Sequence, residues 1–102
     1  MRSYWVYIMT NSSLTSLYTG VTNDLARRLV EHRRNGADTF TARYRISRLV
    51  YAEEAHQILD AIAREKQIKR WRREKKVALV RTIKPTFRDL SEDFGLIPDS
   101  SE

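Results

Sequence analysis

Tyr7, Tyr18, Arg28 and Glu65 are polar side chains that fall where the surrounding pattern says interior. Helix residues turn by about 100° each. In 25–34 the leucines Leu25 and Leu29 mark an inward stripe, and Arg28 and His32 share it, while Arg27, Glu31 and Arg34 point away. An inward guanidinium either finds an anionic partner, because unpaired burial costs several kcal/mol, or snorkels to the rim. Glu65 projects into the stripe set by Ile58, Ala61, Ile62 and Ile68. A carboxylate there pairs with a basic group such as Arg28 or holds a metal ion at a cleft edge. Tyr7 and Tyr18, eleven apart, sit mid-strand, where antiparallel pairing sets both rings on one face. Packing is the commoner use of a strand tyrosine, and hydroxyl chemistry the rarer one. Gly20 shares that face and leaves bare space beside the Tyr18 ring, suited to a ligand or another backbone.

The elements that must position these groups are short. Residues 4–9 (YWVYIM) form a continuous apolar run six long, a strand covered on both faces. Residues 16–21 alternate as a second strand after the loop opened by Asn11-Ser12-Ser13, which gives a hairpin. Thr22-Asn23-Asp24 offers N-caps for a helix over 25–34 that stops at Asn35-Gly36. Residues 48–53 read as a third strand, 55–73 as one long helix and 75–81 as a shorter one, with Pro85 ending regular structure. The expected fold is α/β: a small three-stranded antiparallel or mixed sheet flanked by helices, order β-β-α-β-α-α.

At 102 residues the chain is one domain. The absence of cysteine excludes disulfides, thiolate metal sites and a cysteine nucleophile. His32 and His56 lie too far apart in sequence for a closed zinc site. Three scattered glycines exclude a P-loop and a dinucleotide fingerprint, so no nucleotide cofactor is expected. No apolar run approaches the roughly 20 residues of a membrane span, and the expected setting is cytoplasmic. The net charge is +6, but Asp89–Glu102 holds five acids and no base, which leaves residues 1–88 with nineteen bases against eight acids, or +11. The boundaries are accordingly a basic domain over 1–88 and an acidic, mobile tail over 89–102. So basic a body repels itself unless a polyanion is near, which makes nucleic acid the natural partner.

Residues 64–76 (REKQIKRWRREKK) carry eight basic residues and two acids around Trp71, continuing the helix that bears Glu65. Lys66, Lys69, Arg70, Arg72, Arg73, Lys75 and Lys76 compose a candidate phosphate-binding surface, with Trp71 packing rather than stacking on a base. Arg43, Arg45 and Arg48 form a second basic segment.

Together these residues resemble the GIY-YIG nuclease superfamily over about residues 2–90, above all its small stand-alone UPF0213-type members, related to the amino-terminal nuclease domain of an excinuclease. Val6-Tyr7-Ile8 matches the first motif half through its tyrosine, and Tyr18-Thr19-Gly20 matches the second. Arg28 matches the family arginine ten residues after the second tyrosine, His32 the frequent histidine, and Glu65 the metal-binding glutamate. The first motif here reads Val-Tyr-Ile, and Lys84 stands before Pro85 where relatives often carry asparagine. A lysine at that place could contact phosphate directly.

The resemblance implies phosphodiester hydrolysis in DNA with one Mg²⁺ or Mn²⁺ on Glu65, in a repair or recombination setting. The ion would polarise a non-bridging oxygen and stabilise the leaving group, and Arg28 would neutralise developing charge. Tyr7 would stand nearest the attacking water, Tyr18 would orient it, and His32 would accept or relay a proton. A free tyrosine titrates near pH 10, so Tyr7 needs the cations beside it to act as a base. The alternatives are a non-catalytic nucleic-acid-binding module that keeps this fold, and an adaptor in which Arg28 and Glu65 form only a buried salt bridge.

Overall fold

A computed structural model of the chain describes residues 3–11, 14–35, 46 and 48–83, with the side chains of 32–35 outside that description. Arg43, Arg45, Lys84, the side chain of His32 and the 88/89 boundary with its acidic tail therefore lie outside the described residues. The elements are β1 (Tyr4–Thr10), β2 (Leu17–Thr22), α1 (Leu25–Asn35), β3 (Arg48–Ala55), α2 (Ile58–Lys69) and α3 (Arg73–Arg81). The sheet order is β2-β1-β3, and both pairings are antiparallel.

As the middle strand, β1 is covered on both faces, which is why its sequence is continuously apolar. Tyr7 and Met9 pack with Leu25 and Leu29 of α1. Val6 and Ile8 pack with Ala61 and Ile68 of α2 and Val80 of α3. Burying one such aliphatic side chain contributes about 1.5–3 kcal/mol. The sheet thus separates α1 from the α2–α3 pair.

A bulge adjusts β3 to this two-sided demand. Ile8 pairs with Tyr51 and Met9 with Leu49, so Val50 is the extra residue. Val50 and Tyr51 both join the α2–α3 core, while Leu49 and Ala52 join the α1 core.

Local chemistry fixes the ends. Asp24 Oδ1 accepts from the Arg27 amide at 3.1 Å, and Thr22 Oγ1 accepts from the Asp24 amide at 3.1 Å. A cap of this kind is worth about 1 kcal/mol and sets the phase at which Arg28 leaves the helix. In the β1–β2 loop, Asn11 Oδ1 accepts from the Thr15 amide at 2.9 Å, and Thr10 Oγ1 donates to the Ser16 carbonyl at 2.6 Å.

The two helices expected over 55–73 and 75–81 are both present, but the first is shorter, Ile58–Lys69, and the second already starts at Arg73. The amides of Arg70 and Trp71 bond back to Gln67 and Ile68 carbonyls, and Arg72 is extended at φ −68°, ψ 160°. The turn brings Val80 back onto the core that Ile68 occupies. Arg73 holds the corner by donating to the carbonyls of Leu14 at 2.7 Å and Thr15 at 3.1 Å. The inward stripe is also narrower than its periodicity suggests: Ala61 and Ile68 are buried, Ile62 is half-buried, and Ile58 is 43% exposed.

Candidate active site

The site grows from the pairing of Tyr7 with Gly20 across β1 and β2. The Tyr7 ring leans over that glycine. A Cβ at position 20 would lie 2.5 Å from the Tyr7 hydroxyl oxygen and 2.6 Å from Cζ, too close for any side chain unless the ring moves. The space beside Tyr18 is therefore not bare, as the sequence suggests; Tyr7 fills it. The two rings stand side by side, with centroids 6.3 Å apart and planes tilted by 36°.

Arg28, one turn into α1, closes the group. Its Nε donates to the Tyr7 hydroxyl at 3.1 Å, and its Nη1 donates to Glu31 Oε1 at 3.3 Å. The bond to Tyr7 raises the guanidinium above its already high range, with smaller help from Tyr18 and Glu31, while burial opposes the rise. Tyr7 is buried, Tyr18 is half-buried, and the Arg28 side chain is 31% exposed. The Tyr7 phenol is wholly buried and the cation bonded to it is partly exposed, so Arg28 is the part of the trio that meets and stabilises a negatively charged entering group.

Glu65 stands apart from this trio. It lies on α2, which packs on the opposite face of the sheet, and its 16%-exposed side chain pairs with Lys69 Nζ at 3.1 Å. The Arg28–Glu65 salt bridge is therefore replaced by two others: Arg28 bonds Glu31 one turn along its own helix, and Glu65 bonds Lys69. Periodicity alone sets Glu31 on the outer side, although the i, i+3 spacing from Arg28 offers the signal for this pair. Ile58 shares a cleft with Val21 and Thr22, and Arg73, beyond the other end of α2, bonds Leu14 and Thr15. So α2 runs counter to β2. Seven residues of helix rise place Glu65 about 10.5 Å along α2 from its Ile58 end.

Of the basic surface, Lys66, Lys69, Arg70 and Arg72 are exposed around the α2–α3 corner, and Lys76 is half-buried. Arg73 is committed to loop carbonyls. Lys75 Nζ lies 4.4 Å from the centroid of Trp71, and Arg64 5.3 Å. A network unforeseen in sequence ties this corner to β3. Tyr51 donates to Glu53 Oε1 at 2.5 Å, and Arg64 Nε donates to Glu53 Oε2 at 3.0 Å. Burial, reinforced by Glu53, pushes the Tyr51 phenol up to about 12.

A family model for the GIY-YIG catalytic domain matches residues 3–78. The chain belongs to the GIY-YIG family. A UPF0213 protein of Staphylococcus aureus strain Mu3 is 37% identical over 81 residues, spanning 79% of this chain and 98% of that protein, and the UPF0213 protein SA0446 of strain N315 matches equally. The solution NMR structure of UPF0213 protein BH0048 from Bacillus halodurans is 31% identical, covers 80% of this chain and 85% of its own, and superposes with a TM-score of 0.50. A GIY-YIG catalytic domain implies nuclease-type chemistry on a nucleic acid, and GIY-YIG nucleases generally use a divalent metal. Among the described residues, no helix is long and apolar enough to cross a membrane.

Proposed function

We propose that this GIY-YIG chain is a divalent-metal-dependent endonuclease that hydrolyses DNA phosphodiester bonds, in a repair or recombination setting. The observation that carries the reading is the Arg28 guanidinium bonded to the Tyr7 hydroxyl with Tyr18 alongside. Arg28 binds a phosphoryl oxygen and neutralises charge that grows on it. Tyr7 and Tyr18 orient the attacking water, and His32 relays its proton.

Among the described residues no three His, Cys, Asp or Glu side chains gather, so the donor set offers one carboxylate rather than a closed cage. Mg²⁺ accepts that set, because it keeps several waters and takes one or two carboxylates. Glu65 would hold it once its pair with Lys69 opens, which frees Lys69 for a phosphate. When bound, the ion supplies Lewis-acid stabilisation of the phosphoryl and leaving oxygens. Lys66, Lys69, Arg70, Arg72 and Lys76, joined by Arg43, Arg45 and Lys84, serve as backbone contacts.

The Glu65–Lys69 pair favours a second reading, a nucleic-acid-binding module without turnover, in which Glu65 only balances the basic helix. Labelled duplex, flap and single-stranded DNA with Mg²⁺ or Mn²⁺ separates the two. The nuclease reading expects cleavage by the wild type and a loss of at least about 100-fold in Glu65→Gln. Salt-sensitive binding without cleavage assigns the module instead.

A further inference from the structure

A cleft of about 420 Å³ opens beside the candidate site, between the starts of α1 and α2. We infer that this cleft binds the nucleotide next to the bond being cut, an inference that rests on the nuclease reading. The volume lies within the roughly 300–1,000 Å³ typical of small-molecule pockets. Its lining combines apolar surface from Tyr4, Val21 and Ile58 with the charged Arg27, Arg28 and Glu31 and the polar Thr22 and Asn23.

The apolar and charged parts of this lining match the two halves of a nucleotide. Two guanidiniums against one carboxylate leave a single positive charge, and a phosphodiester carries a single negative one. A bare inorganic anion would make no use of the apolar part. Ile58 opens its helix with 43% of its surface exposed, although its periodicity assigns it to the core. In the cleft it supplies an apolar surface for a sugar or base, whose burial is favourable at about 25 cal/mol per Å². Arg28 lines the cleft and also holds the Tyr7 hydroxyl, so a nucleotide lodged here places its phosphate at the one member of the trio that reaches the cleft. Arg27, exposed at the rim and adjacent in sequence, has its backbone fixed by the Asp24 cap and reaches the same phosphate or the next. Arg27 and Ile58 thus become strand-binding residues, separate from the basic α2–α3 corner.

The test is a titration of the full chain with deoxythymidine monophosphate and with inorganic phosphate, followed by ¹H–¹⁵N NMR. The mononucleotide should shift the amides of Thr22, Arg27 and Ile58 and bind about tenfold more tightly than phosphate, the effect of burying one apolar face. Ile58→Asp should abolish that preference. Because Ile58 is exposed, the variant keeps the fold, which its NMR spectrum verifies. Arg27→Gln should weaken both ligands about tenfold, the loss of one charge-assisted contact. In cleavage assays both variants should raise KM more than they lower kcat. Shifts that bypass these residues, or equal affinity for the two ligands, overturn the subsite. Mononucleotide binding in the cleft with no DNA cleavage removes the nuclease reading and leaves the subsite standing. Cleavage with an undisturbed cleft does the reverse.

Discussion

Two arginines on opposite faces of the same three-stranded sheet each meet a tyrosine and a glutamate, and they end differently. On the α2 side, the Glu53 carboxylate lies between its partners, taking the Tyr51 hydroxyl on one oxygen and Arg64 on the other. Arg64 also donates to Gln67 at 2.8 Å and covers Trp71. Every charge there has its complement. On the α1 side the carboxylate is displaced to the far end of the guanidinium, and Arg28 donates directly to the Tyr7 hydroxyl. Cation and phenol meet with no anion between them, beside an open cleft. The same three residue types make a brace when the acid is central and an anion receptor when it is lateral.

The contrast is sharpest if each arginine is removed in turn. Arg28→Ala should lower kcat for DNA cleavage by about 10²–10³, the usual cost of one preorganised charge-stabilising donor. Arg28→Lys should recover little, since an ammonium lacks the fork that serves Tyr7 and Glu31 together. Single-turnover rates measure both, and a loss under threefold would mean that Arg28 is only a brace like Arg64.

Gly20→Ala should act on the α1 side alone. The added methyl meets the Tyr7 hydroxyl, so the ring must move away from Arg28. Overpacking of this kind costs about 1–3 kcal/mol, read from urea denaturation, with a fall in kcat that Arg64 variants do not show.

The Tyr51 phenol sharpens the comparison through pH. Its ionisation lies near 12 in the folded chain and near 10 when unfolded. Folding therefore favours the neutral phenol, and the stabilisation is complete below pH 10 and lost as pH rises through 10 to 12. Wild-type stability should fall more steeply across that window than that of Tyr51→Phe, by roughly 1–2 kcal/mol. Parallel curves would show that Tyr51 is not held buried beside Glu53 in solution.

Arg64→Ala carries the smallest effect. Arg64 and Glu53 are each about a third exposed, and solvent screening reduces the expected loss to about 1 kcal/mol with kcat unchanged. Thermal or chemical denaturation beside a rate measurement checks it.

The parts of the fold that were legible in the sequence are those whose signals are local. The apolar run of β1, the cap at Asp24 and the leucines of α1 place Tyr7 and Arg28 correctly on one face. The turn at Arg70–Arg72 carries no glycine or proline, so its sequence gives no helix stop. It depends on contacts from Arg73 to residues 58 and 59 positions earlier. Gly20 shows the same limit from another side. Its place on the tyrosine face follows from alternation, but its occupant depends on the register between strands and on how one ring leans. Glu65 was legible as a shielded acid on α2. Its neighbour Lys69 and its side of the sheet follow only from how the helix docks.

The extra residue in β3 makes one place in that strand removable without a change of register, although the buried Val50 side chain would be lost from the α2–α3 core. With Val50 removed, Leu49 and Tyr51 would already oppose consecutive residues of β1 and already face different interiors, so the ladder closes up in phase. A deletion away from the bulge, at Ala52 for instance, would turn the rest of the strand toward the wrong interior. Changes in the length of β3 among related chains should therefore gather at this one spot, while the loops vary freely.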